Sequence, residues 1–151
     1  MTISNKGIDL ICSFEGFSAK PYNDPATGGE PITIGFGTTM YPSGIKVTMN
    51  DYPVTLEQAK NYLVHHIENR CYHALVGLKL SQNQFDALCS FVYNCGAGAF
   101  ENSTLKKRIV TGEGDIKAAF LMWNKAGGQV LAGLTKRRAA EADLYLSESI
   151  V

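Results

Sequence analysis

The fold is decided by two stretches, FEGFSAKPYND at residues 14–24 and TIGFGTT at residues 33–39. The first stretch closes an apolar helical pattern and turns away from it, because neither Gly16 nor Pro21 favours continuation of a helix. The second stretch places β-branched residues beside glycines, which is typical of a short strand in a small sheet. We therefore expect a helix that ends near Gly16, followed by a hairpin-based sheet.

Helical patterns flank this sheet on both sides. The N-terminal helix is predicted over residues 4–14, and two capping boxes, TLEQ at 55–58 and SQNQ at 81–84, predict where later helices begin. The helix after the first box is long, and its predicted buried stripe consists of Leu56, Ala59, Leu63 and Ile67. The helix after the second box is predicted to bury Phe85, Leu88 and Val92. Shorter helices are predicted over 103–111, 115–124 and 135–147, separated by glycines.

This order of elements predicts an α+β fold in a single domain over residues 1–151. A small N-terminal lobe with a short antiparallel sheet is expected at approximately residues 14–55. A larger helical lobe is expected from residues 1–13 and 56–151, and the long helix joins the two lobes. A cleft between such lobes is a common place for a binding site.

Charge and hydropathy limit the classes of function that are expected for this protein. Acidic and basic side chains number fourteen each among 151 residues, so the net charge favours neither nucleic-acid binding nor association with a membrane surface. The first residues, MTISNKGIDLICSF, lack the apolar core and cleavage site of a secretory signal. No segment approaches the ~18 apolar residues that cross a bilayer. We therefore expect a protein that starts in the cytoplasm and does not insert into a membrane.

The four cysteines are interpreted as structural. Cys12, Cys71, Cys89 and Cys95 form no CxxC pair, and each lies in an apolar helical pattern where a free cysteine behaves as a small hydrophobic residue. All four are expected to be core thiols in a reducing cytoplasm. Oxidation after release from the cell is the alternative that the sequence leaves open.

Histidines and basic clusters are also given structural interpretations. His65, His66 and His73 fall on the predicted long helix without an acid or cysteine that completes a metal-binding set, so no metal is expected. The basic clusters at 105–108 (LKKR) and 135–138 (TKRR) are interpreted as solvated helix faces. If both clusters faced the cleft, they would instead favour anionic polymers of a bacterial wall.

Glu15 and Asp24 are the residues best suited to acid–base chemistry. Cleavage of a glycosidic bond needs a proton for the leaving oxygen and a second carboxylate that acts on water or on the ring carbon. Glu15 follows an apolar helix and is flanked by Phe14 and Phe17, and apolar surroundings favour a carboxyl group that keeps its proton. Asp24 lies in the polar turn YNDPATGG, where it is expected to stay ionised. From these residues alone, the alternative is that both have structural roles only, with Glu15 as a carboxylate at a helix end and Asp24 as an ordinary turn residue.

The combination GIDLICSFEGFSAKPYND and TIGFGTT resembles the phage-type lysozymes of glycoside hydrolase family 24. Their fingerprint is a helix that ends in Glu-Gly, an aspartate nine residues later, and a Thr-Ile-Gly-x-Gly segment. The resemblance implies that Glu15 is the general acid, that Asp24 is the second carboxylate and that Thr33 helps to hold the attacking water. It also implies an inverting reaction, which places the two carboxyl groups about 6.5–9.5 Å apart.

Two downstream stretches, ALCSFVYNCGAGAF at 87–100 and MWNKAGGQVLAGLTKRRAAEADLY at 122–145, extend the resemblance over nearly the whole chain. The family pattern implies that Tyr93, Asn94 and Thr104 meet the glycan. It implies an endolysin without metal or cofactor, which hydrolyses the β-1,4 bond between N-acetylmuramic acid and N-acetylglucosamine in peptidoglycan. A monomer is the default expectation.

Delivery also follows from the resemblance. The protein is expected to stay in the host cytoplasm until a holin opens the membrane, and then to act on the wall in the periplasm without direct contact with the holin. The alternatives are a peptidoglycan-binding module without turnover, or the same chemistry used as a toxin or virion component.

Overall fold

The computed structural model describes residues 1–148, which form seven α-helices, one 3₁₀ helix and two antiparallel sheets of two strands each. This mixture of helices and short strands confirms the predicted α+β class. The chain divides into two compact units. The sheet unit is Ile8–Asn69, and the helical unit is Met1–Gly7 together with the chain from Arg70 onward. The lobe boundaries and the single domain of the sequence analysis stay predictions.

The sheet unit is built from two helices and one hairpin, named α1 (Asn5–Glu15), β1 (Ser18–Tyr22), β2 (Thr33–Gly35) and α2 (Leu56–Arg70). The strands are antiparallel and irregular, with Ser18 opposite Gly35 and Tyr22 opposite Thr33. Their core consists of Ile32, Ile34 and Val47, with Tyr41 and Val54 packed against it. The hairpin expected from TIGFGTT is therefore present.

The end of α1 is fixed by local chemistry. Gly16 adopts a φ of +72°, which only glycine adopts without strain, and its N–H donates to the Cys12 carbonyl at 3.2 Å. The chain then turns so that the Phe17 ring packs on Phe36, with the ring centroids 5.3 Å apart. As a result, Glu15 is the last residue of a helix that is held against the segment following β2.

The TLEQ capping box forms as expected at the start of α2. The Thr55 N–H donates to Gln58 Oε1 at 2.9 Å, and the Gln58 N–H donates to Thr55 Oγ1 at 3.1 Å. Ala59, Leu63 and Ile67 are buried as predicted. The prediction for Leu56 was wrong, because this residue is 51% exposed. It is the first residue of the helix, one turn before the buried stripe begins.

The helical unit contains one 3₁₀ helix, five α-helices and a short hairpin among its described residues. In chain order these are the 3₁₀ helix Tyr72–Leu75, α3 (Gln82–Cys95), α4 (Ala97–Glu101), α5 (Thr104–Thr111), α6 (Ile116–Leu121), β3 (Lys125–Ala126), β4 (Gln129–Val130) and α7 (Ala132–Leu146). The second capping box, between Ser81 and Gln84, is confirmed, and so is the burial of Phe85, Leu88 and Val92. Phe91 is the centre of the core, because the rings of Phe100, Phe120 and Trp123 all pack against it edge-on.

Two interpretations of charged and histidine residues were wrong. The TKRR cluster is not a solvated face, since Arg137 and Arg138 are 4% and 0% exposed. Glu141, one turn later on α7, lies 2.7 Å from Arg138 Nε and 3.3 Å from Arg137 Nε, and this carboxylate allows both guanidinium groups to be buried. His73 is not on the long helix, because α2 ends at Arg70 and His73 belongs to the following 3₁₀ helix.

The cysteines are all free, but only two of them are core thiols. Cys71 and Cys89 are buried as expected. Cys12 and Cys95 are only partly buried, so the prediction was wrong for these two. Cys12 lies beside the buried Ile11 on a half-exposed face of α1, and Cys95 is the last residue of α3.

We expect Cys71 and Cys89 to resist alkylation in the folded protein. Burial raises the pKa of the Cys71 thiol from 9.0 to about 12 and also raises the pKa of Cys89. At mildly alkaline pH the reactive thiolate of Cys71 is therefore about a thousandfold scarcer than that of an unperturbed thiol. Iodoacetamide labelling followed by peptide mass spectrometry measures this protection, and denatured protein, in which all four thiols react, is the control. Rapid labelling of native Cys71 would contradict the prediction.

Candidate active site

The three residues predicted to be catalytic all belong to the sheet unit. Glu15 is the last residue of α1 and is half-buried. Asp24 follows the end of β1 by two residues, and Thr33 is the first residue of β2. Both Asp24 and Thr33 are also half-buried, so each of the three side chains is partly accessible.

Tyr22 shows that these residues lie near one another. It pairs with Thr33 across the hairpin, and residues directly opposite one another project from the same face. Burial raises the pKa of Tyr22, and the negative charges of Glu15 and Asp24 raise it further. Both carboxylates therefore lie close enough to act electrostatically on the Tyr22 phenol, and Tyr22 itself pairs with Thr33.

Tyr22 was not predicted as a site residue from the sequence. Its signal was its place in KPYND, an aromatic residue with a hydroxyl two positions before the predicted catalytic aspartate. That signal is weak, because only the strand register reveals that Tyr22 faces Thr33.

Asp24 is oriented by the turn that it begins. Its N–H donates to the Gly29 carbonyl at 2.9 Å, and its own carbonyl accepts from the Gly28 N–H at 2.8 Å. The Ala26 N–H donates to Asp24 Oδ1 at 2.8 Å. One carboxylate oxygen thus holds the turn, while Oδ2 accepts no hydrogen bond from the residues that the structure describes. The turn-forming role proposed as the structural alternative is real, and it leaves one oxygen available for a ligand.

Thr33 also has its hydroxyl direction fixed. Its Oγ1 donates to the Pro31 carbonyl at 3.1 Å. Because a hydroxyl carries one donor and two acceptor lone pairs, the hydroxyl can still accept a hydrogen bond. A water molecule that donates to Thr33 Oγ1 therefore suits this geometry.

The three residues predicted to bind the glycan belong to the helical unit. Tyr93 and Asn94 lie in the last turn of α3, and Thr104 is the exposed first residue of α5. Asn94 is exposed, and its Oδ1 accepts a hydrogen bond from Arg138 Nη2 at 2.8 Å. This contact fixes the amide, but the contact of all three residues with glycan stays a prediction.

Residues 1–148 contain no group of three or more His, Cys, Asp or Glu side chains arranged to hold a metal ion. Over the same residues, the helices are too short or too polar to span a bilayer.

Known proteins share this arrangement of helices and short strands. The endolysin of Bacillus phage PZA is 41% identical over 150 residues, which cover 97% of this chain and 56% of that endolysin. The endolysin of Salmonella phage P22 is 36% identical, with 97% of this chain and 99% of that endolysin covered. The solved structure of an endolysin from Escherichia coli O157:H7 phage FAHEc1 superposes with a TM-score of 0.85 at 38% identity, and the match covers 97% and 94% of the two chains.

The fold is thus that of the lysozyme-like α+β proteins. Residues 12–141 match the phage lysozyme family, and the chain belongs to that family. The chain spans 56% of the length of the PZA endolysin, but nearly the whole length of the P22 endolysin.

Proposed function

We propose that this chain is an endolysin that hydrolyses the β-1,4 bond between N-acetylmuramic acid and N-acetylglucosamine in bacterial peptidoglycan. Membership of the phage lysozyme family supports the class of reaction. The observation that carries the proposal is the effect of both Glu15 and Asp24 on Tyr22, which itself pairs with Thr33. Two carboxylates around one accessible site are what glycoside hydrolysis requires.

In the proposed mechanism, Glu15 donates a proton to the glycosidic oxygen as the bond to the leaving sugar breaks. Asp24 Oδ2 accepts a proton from the attacking water, since Oδ1 is occupied by the Ala26 N–H. Thr33 Oγ1 accepts the other hydrogen bond of that water, because its own proton is directed to Pro31. Direct attack by water inverts the anomeric carbon, for which the two carboxyl groups need a separation of about 6.5–9.5 Å.

We also propose the route by which the protein meets its substrate. As a monomer, it accumulates in the host cytoplasm and reaches the wall after a holin opens the membrane. Tyr93, Asn94 and Thr104 then contact the glycan strand. The endolysin names of the relatives support action on the wall.

Analysis of the cleavage products tests the reaction. Purified peptidoglycan is digested, new reducing ends are converted to alditols with borohydride, and the products are identified by mass spectrometry. The proposal expects new ends at N-acetylmuramic acid and no new amino groups from peptide cleavage. Fresh product is expected as the α-anomer in NMR spectra. Ends at N-acetylglucosamine would contradict the proposed bond, and wall binding without any product would favour the binding module.

Asp24→Asn is expected to slow clearing of peptidoglycan suspensions at least about a hundredfold, because an amide cannot accept the proton of water. The asparagine oxygen can still accept from the Ala26 N–H, so the turn is expected to persist. Turbidity measures the loss, and circular dichroism checks the fold. Glu30→Gln, an exposed acid in the same hairpin, is the matched control and is expected to clear normally. Near-normal clearing by Asp24→Asn would contradict the role of this residue as the base.

A further inference from the structure

A pocket lies in the sheet unit, between the loop that precedes α2 and the first turns of α2. Its volume is about 370 Å³, within the range of about 300–1,000 Å³ that is usual for small-ligand sites. The rings of Tyr41, Tyr52 and Tyr62 line it, so we name it the tyrosine pocket. None of the three proposed catalytic residues lines it.

One side of the tyrosine pocket is held rigid by Asp51. Its carboxylate accepts hydrogen bonds from Thr48 Oγ1 at 2.6 Å, from the Thr48 N–H at 2.9 Å and from the Tyr41 hydroxyl at 2.7 Å. These hydrogen bonds, those from Thr48 most strongly, hold the pKa of Asp51 below its ordinary value. Asp51 is thus an ionised anchor that fixes the Tyr41 ring and the loop before any ligand arrives, which reduces the entropy lost on binding.

The aromatic surface of the pocket is partly packed and partly free. Tyr41 and Tyr62 pack edge-to-face, with centroids 5.4 Å apart and ring planes at 72°. Tyr52 is 90% exposed, so its ring is almost fully accessible to solvent. A fixed pair of rings beside an open ring offers flat apolar faces together with phenolic hydroxyls. This combination suits a ligand that has C–H-rich faces and a polar edge.

The polar side chains of the pocket suit an uncharged ligand. Gln58 uses its Oε1 to cap α2, which leaves the Nε2 hydrogens as donors, and the Asn50 side chain makes no hydrogen bond to any of the residues 1–148. Amide groups both donate to and accept from hydroxyls and N-acetyl groups. Among residues 1–148, Asp51 is the only charged residue that lines the pocket, so phosphates and carboxylates meet no cation from this part of the chain.

We propose that the tyrosine pocket is a saccharide-binding site that takes N-acetylated sugars of the wall glycan. The identity of the glycan rests on the proposed function, whereas the preference for a saccharide rests on the pocket itself. Tyr52 stacks on a sugar face, while Asn50 and Gln58 bind its hydroxyl or N-acetyl groups. Binding there retains the protein on insoluble wall without taking part in the cleavage of the bond.

The test combines Tyr52→Ala, Tyr52→Trp and the control Val76→Ala, which removes an exposed apolar side chain of the helical unit. Each is made with Glu15→Gln so that the wall stays intact during co-sedimentation with purified peptidoglycan. We expect retention to weaken about threefold to tenfold in Tyr52→Ala, and to persist in Tyr52→Trp and Val76→Ala. With Glu15 intact, Tyr52→Ala is expected to cleave short soluble glycan fragments at the normal rate.

A tetramer of N-acetylglucosamine then maps the site. Titration of the Glu15→Gln protein is expected to shift the amide NMR signals of Asn50, Tyr52 and Gln58, and Tyr52→Ala is expected to lose those shifts. Equal wall retention of Tyr52→Ala and Val76→Ala, or shifts confined to residues outside the pocket, would overturn the proposal. Wild-type protein that cleaves no glycan would refute the proposed function, but the same shifts would still establish the saccharide site.

Discussion

Glu15→Gln is expected to lower the rate of peptidoglycan clearing about a thousandfold. Glutamine has nearly the shape of glutamic acid but no proton that it can transfer to a leaving oxygen. The substitution is expected to leave the end of α1 in place, because that end is fixed by Gly16 and by the Phe17–Phe36 contact rather than by the carboxyl group alone. The variant is therefore expected to fold and to bind the wall.

Three measurements isolate the chemistry in this variant. Turbidity gives the clearing rate, thermal unfolding gives the stability, and co-sedimentation gives wall binding. Glu113→Gln, an exposed acid in the loop after α5, is the matched control and is expected to clear like the wild type. Clearing by Glu15→Gln at more than about a tenth of the wild-type rate would remove Glu15 from the role of general acid. If the wild type and the variant both fold and bind the wall but neither clears it, the result would support the alternative of a peptidoglycan-binding module without turnover.

Features governed by local chemistry were predicted well from the sequence. Gly16 marks the end of α1, and the boxes at 55–58 and 81–84 start α2 and α3, because a cap needs only residues within one turn of the chain. The positions of Glu15 and Asp24 at a helix end and in a turn follow from the same local rules. Their catalytic roles came from the family resemblance, and the strand register adds that Tyr22 lies opposite Thr33.

Features governed by distant partners were not predictable. Arg137 and Arg138 look like a solvated basic cluster in sequence. Besides their ion pairs with Glu141, they contact Ser90 and Asn94 on α3, and these distant partners could not be read from the sequence. The tyrosine pocket was missed for a similar reason, since Tyr41 and Tyr62 are far apart in the chain. The five-residue helix α4 also escaped prediction, because so short a segment carries too few turns for a periodic pattern.

The largest stability effect is expected from Glu141→Ala. Glu141 is fully buried between Arg137, Arg138 and Ser90, and its contacts connect α7 to α3. Burial raises the pKa of Glu141, and Arg138 is the strongest of the groups that oppose this shift. Removal of one partner of a buried ion pair costs about 3–5 kcal/mol, because the remaining charge stays buried without its counter-ion. Chemical denaturation measures the free energy of unfolding.

Asp143→Ala on the same helix is the matched control. Asp143 pairs with Lys117 at 3.0 Å, but both side chains are largely exposed, so its loss is expected to cost no more than about 1 kcal/mol. If Glu141→Ala cannot be purified in folded form, Glu141→Gln replaces it in the test. Glutamine keeps the shape of glutamate and the hydrogen bond from Ser90, so the stability of Glu141→Gln is expected to lie between those of Glu141→Ala and Asp143→Ala. Equal stabilities for Glu141→Ala and Asp143→Ala would show that the buried pair contributes nothing. A large loss of stability would also weaken the hydrogen bond from Arg138 Nη2 to Asn94 Oδ1. The guanidinium group of Arg138 therefore serves both the buried ion pair and the orientation of an amide that is predicted to bind glycan.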